Sequence, residues 1–200
     1  VLLKMGVVCF LSPGKRRNMT LNIALTALFT GIIVISSWTS IPVMGIPVTL
    51  QTLTIFLSVS ILGTKLSLLS VTAYICLGVA GLPVFSGFKS GLSVITGPTG
   101  GFIMGFILAV LISGIIIKKL PLGKFTTPVA FTLAQLCCNL FALLWYRFVW
   151  MDNSVSFLQA AAVCVIPFII PDLIKIAAAT ILGNAITKAL KKQNIDTIEK

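Results

Sequence analysis

The chain has 200 residues, 58% hydrophobic and 10% charged, with a formal net charge of +11 and no histidine; its mean hydropathy is +1.11. Soluble domains average about 45–50% apolar and about 25% charged residues, so this composition excludes an ordinary soluble fold and identifies an integral membrane protein. The basic residues flank apolar runs instead of clustering, which argues against nucleic-acid binding.

Residues 1–18 read as an N-terminal extension. Residues 1–12 are apolar but too short to span, and Lys15, Arg16 and Arg17 follow them, the reverse of signal-peptide order. The extension is expected to be peripheral or disordered, or a start-site artefact with Met19 as the true start.

Residues 19–200 then form one all-α membrane domain of six transmembrane helices, at about 19–38, 48–62, 66–81, 100–117, 126–150 and 170–190. Long unbroken apolar runs exclude a barrel, whose strands alternate. Pro42, Pro47, Gly63, Pro83, Pro98, Pro121, Pro128 and Pro171 punctuate the joins. A further apolar piece, 156–166, ends at Pro167 and reads as a short surface helix or an extension of span six. With the N-terminus cytoplasmic, twelve basic residues fall inside and two, Lys89 and Arg147, outside. That bias places both termini in the cytoplasm. Trp38, Trp145, Tyr146 and Trp150 then fall at the outer face, as an aromatic belt does.

Spans two and three are short. Fifteen helical residues rise about 22 Å against a hydrocarbon core of roughly 30 Å, so irregular backbone must fill the remaining depth. Such backbone is tolerated where protein buries it or it lines a cavity. The outer connections 39–51 and 81–101 have the fitting chemistry. The second, "GLPVFSGFKSGLSVITGPTGG", carries six glycines in 21 residues among Val84, Phe85 and Phe88. It reads as an ordered apolar lid, and it lacks phosphate-loop spacing.

In "PFIIPDLIKIAAA" (167–179), Asp172 and Lys175 lie three apart among apolar neighbours and share a helix face. Pro171 suits a first helical turn, which puts Asp172 near the positive end of the dipole. The pair reads either as an ion pair joining helices or as a polar ligand site facing the bundle interior. Its position toward the outer side, with the irregular loops, favours the second, since intramembrane charges mark substrate pathways. Gln51, beside Thr49 and Thr52, can bond a ligand amide or a neighbouring helix. Tyr74 and Asn139 are further candidates for bonds across helices. Four of the five cysteines, Cys76, Cys137, Cys138 and Cys164, lie in apolar segments without CxxC spacing and read as small buried apolar side chains. With four acidic residues and no histidine, the chain offers poor material for acid–base catalysis. No enzymatic role, metal or cofactor is expected.

"IPVTLQTL" (46–53), "YICLGVAGLPVFSG" (74–87), "GPTGGFIMGF" (97–106) and "PFIIPDLIK" (167–175) resemble the BioY family, the biotin-binding substrate (S) components of energy-coupling-factor (ECF) transporters. The resemblance runs across about residues 20–190. It implies an S-component-like bundle in the bacterial cytoplasmic membrane that captures biotin from outside. Carried over, it implies ligand contacts from Asp172, Lys175 and Gln51, from Tyr74, and from Phe85, Gly87, Gly97 and Gly100 of the glycine-proline loop. Phe102 stands where the pattern has Tyr, which removes a hydroxyl, and the span around Asn139 matches too poorly to carry a role. The resemblance further implies a transmembrane coupling protein and two ATPase subunits as partners, or a solitary transporter without them. Ala24, Ala27 and Gly31, at i, i+3 and i+7 of span one, offer either a docking face for such a partner or a packing face for the chain's own spans. Rival readings are a substrate component for another vitamin and a structural membrane protein.

Overall fold

The computed structural model describes residues 13–43, 45–120 and 125–192. Most of the expected extension, residues 1–12, and the basic residues Lys4, Lys124 and Lys200 lie outside them. In chain order the elements are α1 (Pro13–Trp38), β1 (Ser40–Val43), β2 (Ile46–Thr49), α2 (Gln51–Val79), α3 (Leu92–Thr96), α4 (Gly100–Lys119), α5 (Thr126–Trp145), α6 (Phe157–Cys164) and α7 (Ile169–Lys192). Among the described residues, five segments are long and apolar enough to cross a membrane, α2 counting as one.

α2 is not a single rod. Gly63 breaks it with φ 78° and ψ 177°, a region open essentially to glycine alone. Gln51 Nε2 donates to Tyr74 Oη across 2.7 Å, although 23 residues of straight helix would separate the two by about 34 Å. The halves 51–62 and 64–79 are therefore antiparallel arms hinged at Gly63, and the six expected crossings are all present. The first arm rises only about 18 Å.

Two connections supply the missing depth. β1 and β2 form an antiparallel hairpin in which Ser40 faces Thr49 and Pro42 faces Pro47, a departure from the expected all-helical chain. The 81–99 segment is pinned at several points. Gly91 N–H donates to Gly78 O (2.8 Å) and Phe85 N–H to Lys89 O (3.0 Å). Ser37 Oγ donates to Val84 O, Trp38 Nε1 to Pro83 O (3.0 Å) and Trp145 Nε1 to Gly97 O (3.2 Å). Backbone that leaves helical pairing inside the bundle thus finds other partners, as a membrane requires. The piece at 157–164 is the short helix α6, opened by a capping box between Ser156 and Gln159.

α2 packs against α1, α4 and α7, and α5 against α4 and α7. Hydroxyls join the helices: Ser36 Oγ meets Thr54 Oγ1 at 2.6 Å, and Thr30 Oγ1 donates to Ser70 O at 3.2 Å. The rings of Phe56 and Phe131 stack at 4.6 Å in a core that includes Ile33, Ile55, Val71 and Val110. α4 approaches α5 closely enough that a Cβ at Gly105 would lie 2.7 Å from Cys138 Sγ. Leu133, Leu136 and Leu140 of α5 point outward, as lipid contact demands. Cys76 and Cys137 also face outward, whereas Cys138 and Cys164 are buried; the expectation of burial fails for two of the four, because each lies on the lipid side of its helix.

Replacing Gly63 forces a Cβ into a disallowed backbone region. Gly63→Ala is expected to destabilise the protein by about 1–3 kcal/mol, measured as an earlier thermal unfolding transition in mild detergent. An unchanged transition would refute the hinge role.

Candidate functional site

Asp172 lies in the first turn of α7 and is 5% exposed; Lys175, one turn on, is 6% exposed. Lys175 Nζ sits 2.7 Å from Asp172 Oδ1 and donates to Thr49 O at the end of the hairpin, 3.3 Å away. The second carboxylate oxygen, Oδ2, accepts from Gln135 Nε2 (2.9 Å) and Asn139 Nδ2 (3.0 Å) of α5. Gln135 Nε2 also donates to Asn139 Oδ1 (3.0 Å). A buried carboxylate is tolerable only with this density of donors. Oδ1 is held by the Lys175 ammonium at 2.7 Å, whereas Gln135 Oε1 has no hydrogen-bond donor among the described residues. One acceptor on the α5–α7 wall is thus unpartnered.

A cavity of about 280 Å³ opens beside the pair, and Asp172, Lys175 and Gln135 line it. That is close to the lower end of small-molecule sites, roughly 300–1,000 Å³. Its apolar wall comes from Phe85 of the lid, Phe102, Ile103 and Phe106 of α4, and Phe168 before α7. Phe102 and Phe168 meet at 5.3 Å between ring centroids. Thr49, Gln51 and Tyr74 contribute a polar flank, in which Thr49 Oγ1 donates to Gln51 Oε1 at 3.0 Å.

Six of the residues singled out in the sequence, Asp172, Lys175, Gln51, Tyr74, Phe85 and Gly97, line this one cavity. Gly87 and Gly100 do not. Gly87 turns the chain at φ 71°, and Gly100 packs beneath Ile95 O and Trp145. Ala24, Ala27 and Gly31 lie on the exposed side of α1, and nothing stands within 4 Å of a Cβ built on Gly31. That face is not packing against the chain's own spans. Sequence reasoning passed over Gln135 and gave Asn139 no site role. Their i, i+4 spacing on an apolar helix was the available signal, since buried amides need partners.

The sequence pattern of the BioY family matches residues 12–192. "Biotin transporter BioY" of Thermotoga maritima is 36% identical over 161 residues, covering 80% of this chain and 92% of that protein. "Biotin transporter BioY2" of Lactococcus lactis is 34% identical over 177 residues, covering 86% and 93%. In three dimensions the chain superposes on a crystal structure of the S-component for biotin from an ECF-type ABC transporter with a TM-score of 0.78, covering 89% of this chain and 95% of that one at 22% identity. That likeness establishes the bundle architecture.

Breaking one half of a buried ion pair costs more than replacing both halves. Asp172→Leu is expected to destabilise by about 3–5 kcal/mol, and Asp172→Leu with Lys175→Met by markedly less. Thermal unfolding of the two variants in the same detergent compares them; equal losses would contradict the pairing.

Proposed function

The chain belongs to the BioY family, a multi-pass membrane protein of transport and not an enzyme, and on that premise we propose that its cavity captures biotin for uptake across the cytoplasmic membrane. The observation that carries the reading is the buried ion pair of Asp172 and Lys175, with Gln135 beside it, in the lining of a cavity that also has an aromatic wall.

Biotin has a ureido group with two N–H donors and one carbonyl acceptor, fused to an apolar thioether ring that carries a valerate chain. The Asp172 carboxylate and the unpartnered Gln135 Oε1 match the ureido N–H groups, and Lys175, which keeps one ammonium hydrogen after serving Asp172 and Thr49 O, donates to the ureido oxygen. Phe85, Phe102, Ile103 and Phe106 enclose the ring. An acceptor buried without a donor costs about 1–3 kcal/mol, which a ligand that supplies the donor recovers on binding. With Phe in place of Tyr at 102, that wall contacts the ring by shape alone.

The cavity lies at the end of the bundle that holds Lys89 and Arg147, while Lys65, Lys118, Lys119 and Lys188 lie at the other. Positive-inside bias supports an outward-facing cavity and cytoplasmic termini. Transport against a gradient calls for an energy source, and the outward small-residue face of α1 fits docking to a transmembrane coupling protein and its ATPases in an ECF module.

Equilibrium binding of radiolabelled biotin to the purified protein tests the reading. Asp172→Asn and Lys175→Ala are each expected to weaken binding by about tenfold or more; unchanged affinity in both would overturn it. Separately, Ala27→Leu with Gly31→Leu is expected to abolish co-purification with the coupling protein and ATPases while biotin binding persists. Intact complexes would remove the docking assignment.

A further inference from the structure

We propose that Lys89 is the residue that selects ligands bearing a carboxylate, holding that group at the mouth of the cavity. The inference rests on the biotin reading and deepens it.

Charge at the site carries the argument. Among the described residues, three charged side chains line the cavity: Asp172, Lys175 and Lys89. The first two offset each other at 2.7 Å. Lys89 has no such counterpart, and its side chain is exposed. The lining therefore carries one net positive charge, which a monoanionic ligand completes.

Location assigns the anion to that end. Lys175 is buried, bound to Asp172 and to Thr49 O, so a carboxylate brought to it would face the Asp172 carboxylate across the same small space. Like charges held that close in a poorly solvated site repel strongly. The neutral ureido group suits the floor, and the charged tail suits the mouth, where water still reaches it.

The backbone of Lys89 is also held in place. Its carbonyl accepts from Phe85 N–H at 3.0 Å, in a bridge that closes the 86–88 turn, and the Phe85 side chain below is 1% exposed. The Lys89 stem runs over that turn, with Cε 3.9 Å from where a Cβ on Gly87 would stand. The ammonium thus projects from an anchored backbone on a flexible stem, which leaves it free to follow the end of the ligand.

The test compares biotin with biotin methyl ester, which keeps ring and tail but lacks the charge. Binding to the full-length wild-type protein and to Lys89→Gln and Lys89→Arg is measured at low and high salt. The wild type is expected to favour the acid by about tenfold, with the preference shrinking as salt screens the exposed contact. Lys89→Gln is expected to bind both compounds as the wild type binds the ester, and Lys89→Arg to retain the preference. A Lys89→Gln protein that still prefers the acid, or that loses both compounds alike, would overturn the inference while leaving the biotin reading intact. A wild type that binds neither compound would overturn both.

Discussion

The contact between Asp172 and Lys175 governs what the surrounding bundle has to be. A charged residue at the centre of a membrane helix costs about 2.5–3.5 kcal/mol on insertion scales, and neither partner here is more than 6% exposed. The pair persists because three separate elements serve it. α7 supplies both charges one turn apart, α5 supplies two amides to the carboxylate, and the hairpin supplies a backbone carbonyl to the ammonium. Helices that serve one carboxylate together cannot slide past each other freely. The ion pair is therefore the fastener of the end of the bundle that holds the cavity.

Space beside that fastener comes from the unusual course of the chain elsewhere. Had α2 crossed the membrane as one straight helix, its two ends would lie on opposite faces and Gln51 could not reach Tyr74. The reversal at Gly63 returns the chain early, and the short arms leave a gap that the hairpin and the glycine-proline segment roof over. That roof is fixed by indole and hydroxyl donors from α1 and α5. Its glycines serve turning and close packing more than contact with the cavity.

Much of this was legible in the sequence. Apolar runs longer than a bilayer requires, with basic residues biased to one side, define the crossings and their order. The mismatch between two short runs and the bilayer thickness announces irregular outer backbone without saying what form it takes. A hairpin of two four-residue strands leaves no periodic trace strong enough to read, and Pro42 and Pro47 obscure it further. Asp172 and Lys175 are conspicuous because charge is rare in such surroundings. Gln135 and Asn139 are not, because uncharged amides on a membrane helix commonly do no more than join neighbours. Their function depends on which way α5 is rotated against α7, and that rotation is set by packing far away in sequence, such as Gly105 beneath Cys138. Gly87 and Gly100 sit in the same segment as lining residues, yet the turn at one and the close packing at the other keep them out of the cavity lining.

The reversal at Gly63 also settles how the chain meets the lipid. None of residues 51–62 is exposed, so an arm that rises only about 18 Å never has to match the roughly 30 Å of the surrounding acyl layer. The longer helices around it take up that match, and the penalty for hydrophobic mismatch that a short span at the lipid boundary would carry does not fall on this one.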